Sequence, residues 1–211
     1  MAADVFLSAL QQKGAVMLLL IALMADLGNE SLHLIREMDK ETVETADIYN
    51  LVQSFLDGLV WLFRDGGVFK MQGHTAYALE WLSTPHLFPV AGGQFACLGG
   101  GSPTAYDEDK AIAMRELKAC IVVIESVVRA EFPECDLMWA FSVFSIPKSV
   151  AQSRVAITQD MRSKLRALEH IFGVEDLVHQ YERHLPYAAE AYRNSGYCCS
   201  YIDAWLTLIH I

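Results

Sequence analysis

Ile48, Leu51, Val52, Phe55, Leu56, Leu59, Val60 and Phe63 recur at i, i+3, i+4, i+7, i+8, i+11, i+12 and i+15. This unbroken apolar stripe has helical period, and a strand would scatter it over both of its faces. It fixes one amphipathic helix, stopped by Gly66-Gly67, with Gln53, Asp57 and Arg64 on the other side. A helix of that kind must bury its stripe against other elements.

The nearest candidate is upstream. Residues 5–27 read as a helix that is apolar almost all round, with Gly28 as its C-terminal stop, and a short helix over Ser31–Met38 follows. Such a helix belongs in a core or an interface. Its longest apolar run, Ala15–Ala25, spans about 16 Å as a helix, short of a bilayer core of roughly 30 Å. Asp4 ahead of that run and Asp26-Leu27-Gly28 behind it also make a poor secretory signal. The expectation is therefore no membrane partner.

Further along, residues 74–83 read as a short helix, and 84–106 as a partly packed long loop, punctuated by Pro85, Pro89, Gly92-Gly93 and Gly99-Gly100-Gly101. Asp107-Glu108-Asp109 suits the first turn of a helix that buries Leu117, Cys120, Ile121, Ile124, Val127 and Val128 and stops at Phe132-Pro133. An aromatic-rich helix follows from Asp136 to Phe144, ended by Pro147. Thr158 is the N-cap of a helix over 159–172, with Met161, Leu165, Leu168 and Phe172 inward and Gly173 as the stop. Val174, Leu177, Val178 and Tyr181 carry a short successor, Pro186 opens the next turn, and 198–211 ends the chain as a docking helix or a strand.

Composition narrows the function. Apolar types make up 53% before the 13 Gly are counted, already above the roughly 45–50% that ordinary domains reach with Gly included. Disorder is excluded, and the surplus predicts an apolar surface that meets a partner. The net charge is −10, with acids in excess in both halves, so the chain as a whole repels phosphate backbones. Five cysteines, Cys97, Cys120, Cys135, Cys198 and Cys199, form an odd set without metal-type spacing and read as reduced thiols in a reducing, intracellular setting.

The usual signs of chemistry are missing. Gly99-Gly100-Gly101-Ser102-Pro103 lacks the lysine of a phosphate loop, and neither glycine cluster spells a dinucleotide fingerprint. Glu30 and His33 make one helical carboxylate–histidine pair where a di-metal bundle site needs two pairs and two more Glu. His179 and His184 fall on different faces of a helix. No metal and no cofactor is expected. A thiol enzyme or small-molecule binder under the 84–106 loop would rest on His86 and Cys97. A locally basic stretch, with Arg154, Arg162, Lys164 and Arg166, offers weak nucleic-acid association, although Asp160 and Lys164 have the i, i+4 spacing of an ordinary solvated face.

Two stretches resemble a known family. Residues 14–26, Leu32-His33-Leu34 and Asp47–Gln53, and then Phe132-Pro133, Trp139–Phe144, Leu165–Gly173 and Tyr181-Glu182, are similar to the middle of hAT-superfamily transposases and of proteins domesticated from them. The resemblance covers about half the chain. It implies a helical insertion region and the segments after it, and a nuclear location. That family's catalysis needs metal-holding acids, none of which can be assigned here, and its zinc-finger and dimerisation signatures are missing. A remnant of this kind would not transpose by itself.

Together these readings predict a mainly α fold: a multi-helix bundle in two packed halves, 1–83 and 107–211, joined by the 84–106 loop into one continuous domain, with a minor strand near the C-terminus as the alternative to helix. The function expected first is a non-enzymatic module that binds a protein partner or itself as a homo-oligomer. Its interface candidates are Val16, Leu19, Leu20, Leu23, Phe55 and Leu59.

Overall fold

The computed structural model describes residues 2–40, 44–89, 95–133, 136–146 and 157–206. Among them are eight α-helices and a single two-stranded sheet, so the fold is mainly α with a minor β element. In chain order these are α1 (Ala2–Met38), α2 (Thr45–Leu59), α3 (His74–Leu82), β1 (His86–Pro89), β2 (Phe95–Leu98), α4 (Asp107–Glu131), α5 (Asp136–Phe141), α6 (Gln159–Phe172), α7 (Leu177–Asn194) and α8 (Tyr201–Leu206). The chain divides into two compact units, Met1–Leu34 with Phe55–Ala130, and Ile35–Ser54 with Glu131–Ile211. The expected halves placed the division at 84–106. That segment instead lies wholly within the first unit.

In the first unit α1 does not stop at Gly28. It bends at Lys13, whose backbone leaves helical geometry, and then runs on to Met38. Gly inside a helix costs about 1 kcal/mol relative to Ala, and burial of Leu27 and Leu34 on either side of Gly28 offsets that cost. The stripe of α2 is confirmed: Val52, Phe55, Leu56 and Leu59 are buried, as are Leu62 and Phe63 in the π-helical turn Val60–Arg64 that prolongs it. Gly66, at φ 71°, ends that run in the left-handed conformation glycine adopts at least cost.

Asp26 ties α1 to α3. Its carboxylate accepts the backbone N–H groups of His74 (2.8 Å) and Thr75 (2.9 Å), and the Thr75 hydroxyl donates to it at 2.6 Å. These N–H groups belong to the first turn of α3, which has no partner for them within the helix. A Cβ on Gly73 would come within 2.8 Å of the same carboxylate, so a small residue is needed there.

Residues 84–106 are not a loop throughout. β1 and β2 pair antiparallel, with His86 opposite Leu98, Leu87 opposite Cys97, Phe88 opposite Ala96 and Pro89 opposite Phe95. Gly99 and Gly100 leave the hairpin at φ 94° and 84°, and a Cβ on Gly99 would lie 2.1 Å from the Thr84 carbonyl oxygen. Tyr106 closes the segment: its hydroxyl donates to the Leu82 carbonyl at 2.9 Å and accepts from Gly101 N–H. In α4, Ala113, Leu117 and Ile121 are buried and Ile124 and Val128 half-buried, but Cys120 and Val127, expected inside, face solvent. The core beneath α4 ends before the helix does.

The second unit is packed around aromatic side chains. Ala140, Val143, Leu165, Leu168, Tyr181 and Leu185 form one buried cluster, with Trp139, Phe144 and Trp205 against it. Tyr181 donates from its hydroxyl to the Val143 carbonyl at 2.7 Å, and its burial pushes the phenol well above its ordinary range. Thr158 caps α6 by accepting from Met161 N–H, and Gly173 ends it at φ 62°, both as expected. Phe172, expected inside, is 55% exposed and makes a T-shaped contact with Phe141. Pro186 opens no new helix. It sits within α7, flanked by buried Leu185, Ala188 and Ala189, whose packing carries the helix through the lost hydrogen bond. Residues 201–206 are helical, and among the described residues the strands are β1 and β2. Pro147 falls outside the described residues.

Replacing Asp26 by Ala leaves two amides and the buried Thr75 hydroxyl unpaired, and is expected to cost about 2 kcal/mol; Asp26→Asn, which keeps an acceptor, should cost about half as much. Urea unfolding followed by a probe in the first unit, such as Trp61 or Trp81 fluorescence, checks the order of the two.

Candidate functional site

The residues picked for an interface are inside. Val16, Leu19, Leu23, Phe55 and Leu59 are all buried, Leu19, Leu23 and Leu59 with no exposed surface, and Leu20 is half-buried. They are core positions, because the stripe at 48–63 and the apolar α1 both supply the interior of the fold. A side chain enclosed in this way cannot also meet a partner.

The apolar surplus shows on another face of the same helix. Ile21, Met24 and Leu32 are 63%, 52% and 46% exposed. With Gly28 they fall within an arc of roughly 80° at 100° per residue. A Cβ on Gly28 would meet nothing within 4 Å, so this arc is open to solvent along its length. On α4, Val122, Val123 and Val127 are exposed in the same way, beyond the last fully buried residue, Ile121. Sequence reasoning missed these surfaces because α1 is apolar on nearly every side, and hydrophobicity alone does not say which side turns inward.

The continuity of α1 also corrects the expected length. Lys13–Met38, 26 residues, is long and apolar enough to cross a membrane by length and composition, since the helix continues past Gly28. Near the middle of that segment stands Asp26, fastened to α3 by its three hydrogen bonds.

His86 and Cys97 do not meet. Residues one register step apart in a ladder point to opposite faces. His86 shares the inner face with Leu98, while Cys97 pairs with Leu87 on the outer face, where both are exposed. The His86 ring lies flat on Trp81, with centroids 3.6 Å apart and planes within 2°, and its Nε2 is 2.9 Å from the Trp81 carbonyl oxygen. Both the stacking and the polar contact give His86 a structural role at the base of the hairpin. The outer face of that hairpin is apolar, with Leu87 and Phe95 69% and 68% exposed.

The basic stretch is spread over acids and an aromatic ring. Arg162 is ion-paired with Glu182, and Lys164 with Asp160 at 3.0 Å, its ammonium also 5.7 Å from the centre of the Trp139 ring. Arg166 is exposed, and Arg154 lies outside the described residues. Two of the four candidates therefore already have carboxylate partners, which a phosphate would have to displace. Among the described residues no group of three or more His, Cys, Asp or Glu is arranged to hold a metal ion.

One polar cluster had no signal in the sequence. In the second unit, Asp47 accepts from the Ser145 hydroxyl at 2.6 Å, and the rings of Tyr192 and Tyr201 meet edge to face with centroids 5.2 Å apart. Glu44 accepts the backbone N–H of Tyr201. Burial, with Asp47 adding to it, pushes the Tyr201 phenol well above its ordinary range, and the Tyr192 phenol is raised by burial as well. Glu44, Ser145 and Tyr201 are far apart in the chain and share no motif, so only the fold brings them together.

No protein-family model matches this chain, and no curated protein or solved structure matches it significantly.

With His86 and Cys97 on opposite faces, alkylation of Cys97 by iodoacetamide is expected to proceed at the same rate in the His86→Ala variant as in the parent chain, checked by mass spectrometry of the 95–98 peptide. A rate that falls with loss of the imidazole would place the two in contact and restore the thiol-enzyme reading.

Proposed function

We propose that this chain is a non-enzymatic, mainly helical module that associates with protein, its own copies included, through the exposed arc of α1. The single observation that carries the reading is that one helix is buried at Val16, Leu19, Leu23 and Leu27 and still turns Ile21, Met24 and Leu32 to solvent. Large exposed apolar side chains in a row mark association surfaces more often than single ones do. Asp26 supports protein over lipid as the occupant. Drawing this helix into a bilayer would carry in a carboxylate and the polar start of α3 attached to it, which is costly in hydrocarbon. The resemblance to the helical insertion of hAT-type transposases belongs to the same proposal: a remnant without the family's catalytic acids would keep helical docking surfaces and lose the chemistry.

The test is the double variant Met24→Glu/Leu32→Glu beside the parent chain. Both positions are exposed, so stability should stay within about 0.5 kcal/mol, as urea unfolding would show. The parent is expected to gain weight-average mass with concentration in light scattering, and the variant to stay smaller. A parent that is monomeric at high concentration, or a variant that associates equally well, overturns the reading. Co-sedimentation of the parent with zwitterionic lipid vesicles, lost in the variant, would assign the arc to membrane instead.

A further inference from the structure

Gly28 has no reason for being glycine within its own chain. In a helix interior glycine is the costliest residue after proline, and other glycines of the first unit have local causes. Gly67, Gly73 and Gly99 leave room for Trp61, the Asp26 carboxylate and the Thr84 carbonyl, and Gly14 for the Leu98 side chain. Gly58 lies two residues ahead of the π-helical turn that prolongs α2. Gly28 sits in the middle of α1 with helical backbone, and a Cβ there would meet nothing within 4 Å. Space that the fold does not use is room for a close approach from outside.

The residues around that gap are arranged about a centre. Ile21, Ala25, Gly28 and Leu32 follow at spacings of 4, 3 and 4 and share roughly 60° of the helix circumference. Alternation of 3 and 4 is the seam along which two helices pack. The order large, small, small, large also reads the same from both ends, about a point midway between Asp26 and Leu27. A two-fold axis through that point sets Ile21 opposite Leu32 and Ala25 opposite Gly28, each contact made twice, as a symmetric pair requires. Ala25 and Gly28 let the backbones come close at the crossing, and Ile21 and Leu32, both exposed, pack on either side of it. On one flank Met24 comes opposite Ser31, whose hydroxyl already donates to the Leu27 carbonyl at 3.0 Å and so leaves no donor stranded.

We propose that the occupant of the α1 arc is a second copy of this chain, crossed antiparallel, with Gly28 of each protomer against Ala25 of the other. The proposal rests on the reading of that arc as an association surface and adds its partner and its geometry. Lipid or an unrelated protein calls for neither the symmetric order nor a gap at one position. A seam about 16 Å long from Ile21 to Leu32 is small beside the roughly 800 Å² per partner of a standard interface, so the pair forms reversibly with concentration.

Gly28→Leu tests the crossing. The substitution enlarges the apolar arc and improves helix propensity, so a merely apolar surface would associate more strongly. At a close crossing the added side chain forces the backbones apart, and sedimentation equilibrium of the full chain is expected to give a dimer about tenfold weaker than the parent's. Urea unfolding should show the variant at least as stable as the parent. Orientation is read by mixing copies that carry Ile21→Cys with copies that carry Leu32→Cys under mild oxidation and mapping the linked peptides by mass spectrometry. Links between positions 21 and 32 are expected to exceed those joining 21 to 21 or 32 to 32. A Gly28→Leu variant that associates as well as the parent, or same-position links in excess, overturns the antiparallel crossing while the arc still stands as an association surface. A parent that stays monomeric at high concentration removes that surface reading as well.

Discussion

The first unit hangs on one carboxylate. Asp26 sits on a helix whose neighbours in sequence are almost all apolar, and it faces the open end of α3. Capping that end fixes where α3 begins, and the far end of α3 in turn positions the hairpin. Its last carbonyls receive Tyr106 and the base of the hairpin: Leu82 O accepts from the Tyr106 hydroxyl and from Gly100 N–H, while Trp81 carries the stacked His86. A polar contact this deep in an apolar sequence does more than add stability. It sets the rotation of α1 about its own axis, since only one azimuth brings Asp26 to α3. The sides that become core and surface are determined by that azimuth.

The same constraint explains which elements could be read from the sequence. The α2 stripe was plain because polar residues mark its other side, and Thr158 and Gly173 bound α6 because capping chemistry is local. The hairpin at 86–98 was hidden. Alternation reveals a strand when one face is polar, and here Leu87, Pro89, Phe95 and Cys97 make the outer face as apolar as Phe88, Ala96 and Leu98 make the inner one. Gly28 and Pro186 misled for the opposite reason. Gly28 costs a helix about 1 kcal/mol and Pro186 about 3 kcal/mol, and in each case buried residues on both sides, Leu27 and Leu34 in one, Leu185 and Ala188 in the other, favour continuing.

The candidate site was legible only in outline. The excess of apolar residues pointed to an association surface, but the residues chosen from the most regular stripe were the best core formers. Regular spacing is the mark of burial against the chain's own elements. Ile21, Met24 and Leu32 carry no pattern that distinguishes them from Leu19 and Leu23 before Asp26 orients the helix. The Glu44 cluster was illegible for a simpler reason, since its members are separated by most of the chain.

The two units solve the problem of a polar group among apolar ones in contrasting ways. Asp26 accepts three hydrogen bonds from the start of α3, and its role is fixed geometry. Glu44 accepts one amide, from Tyr201, with Asp47 and Asp203 acting on it, and burial is the larger effect that holds its carboxyl above its ordinary range. The first joint fixes where α3 begins by bonding its open amides, and the second gathers Glu44, Ser145 and Tyr201 from distant parts of the chain at the start of α8.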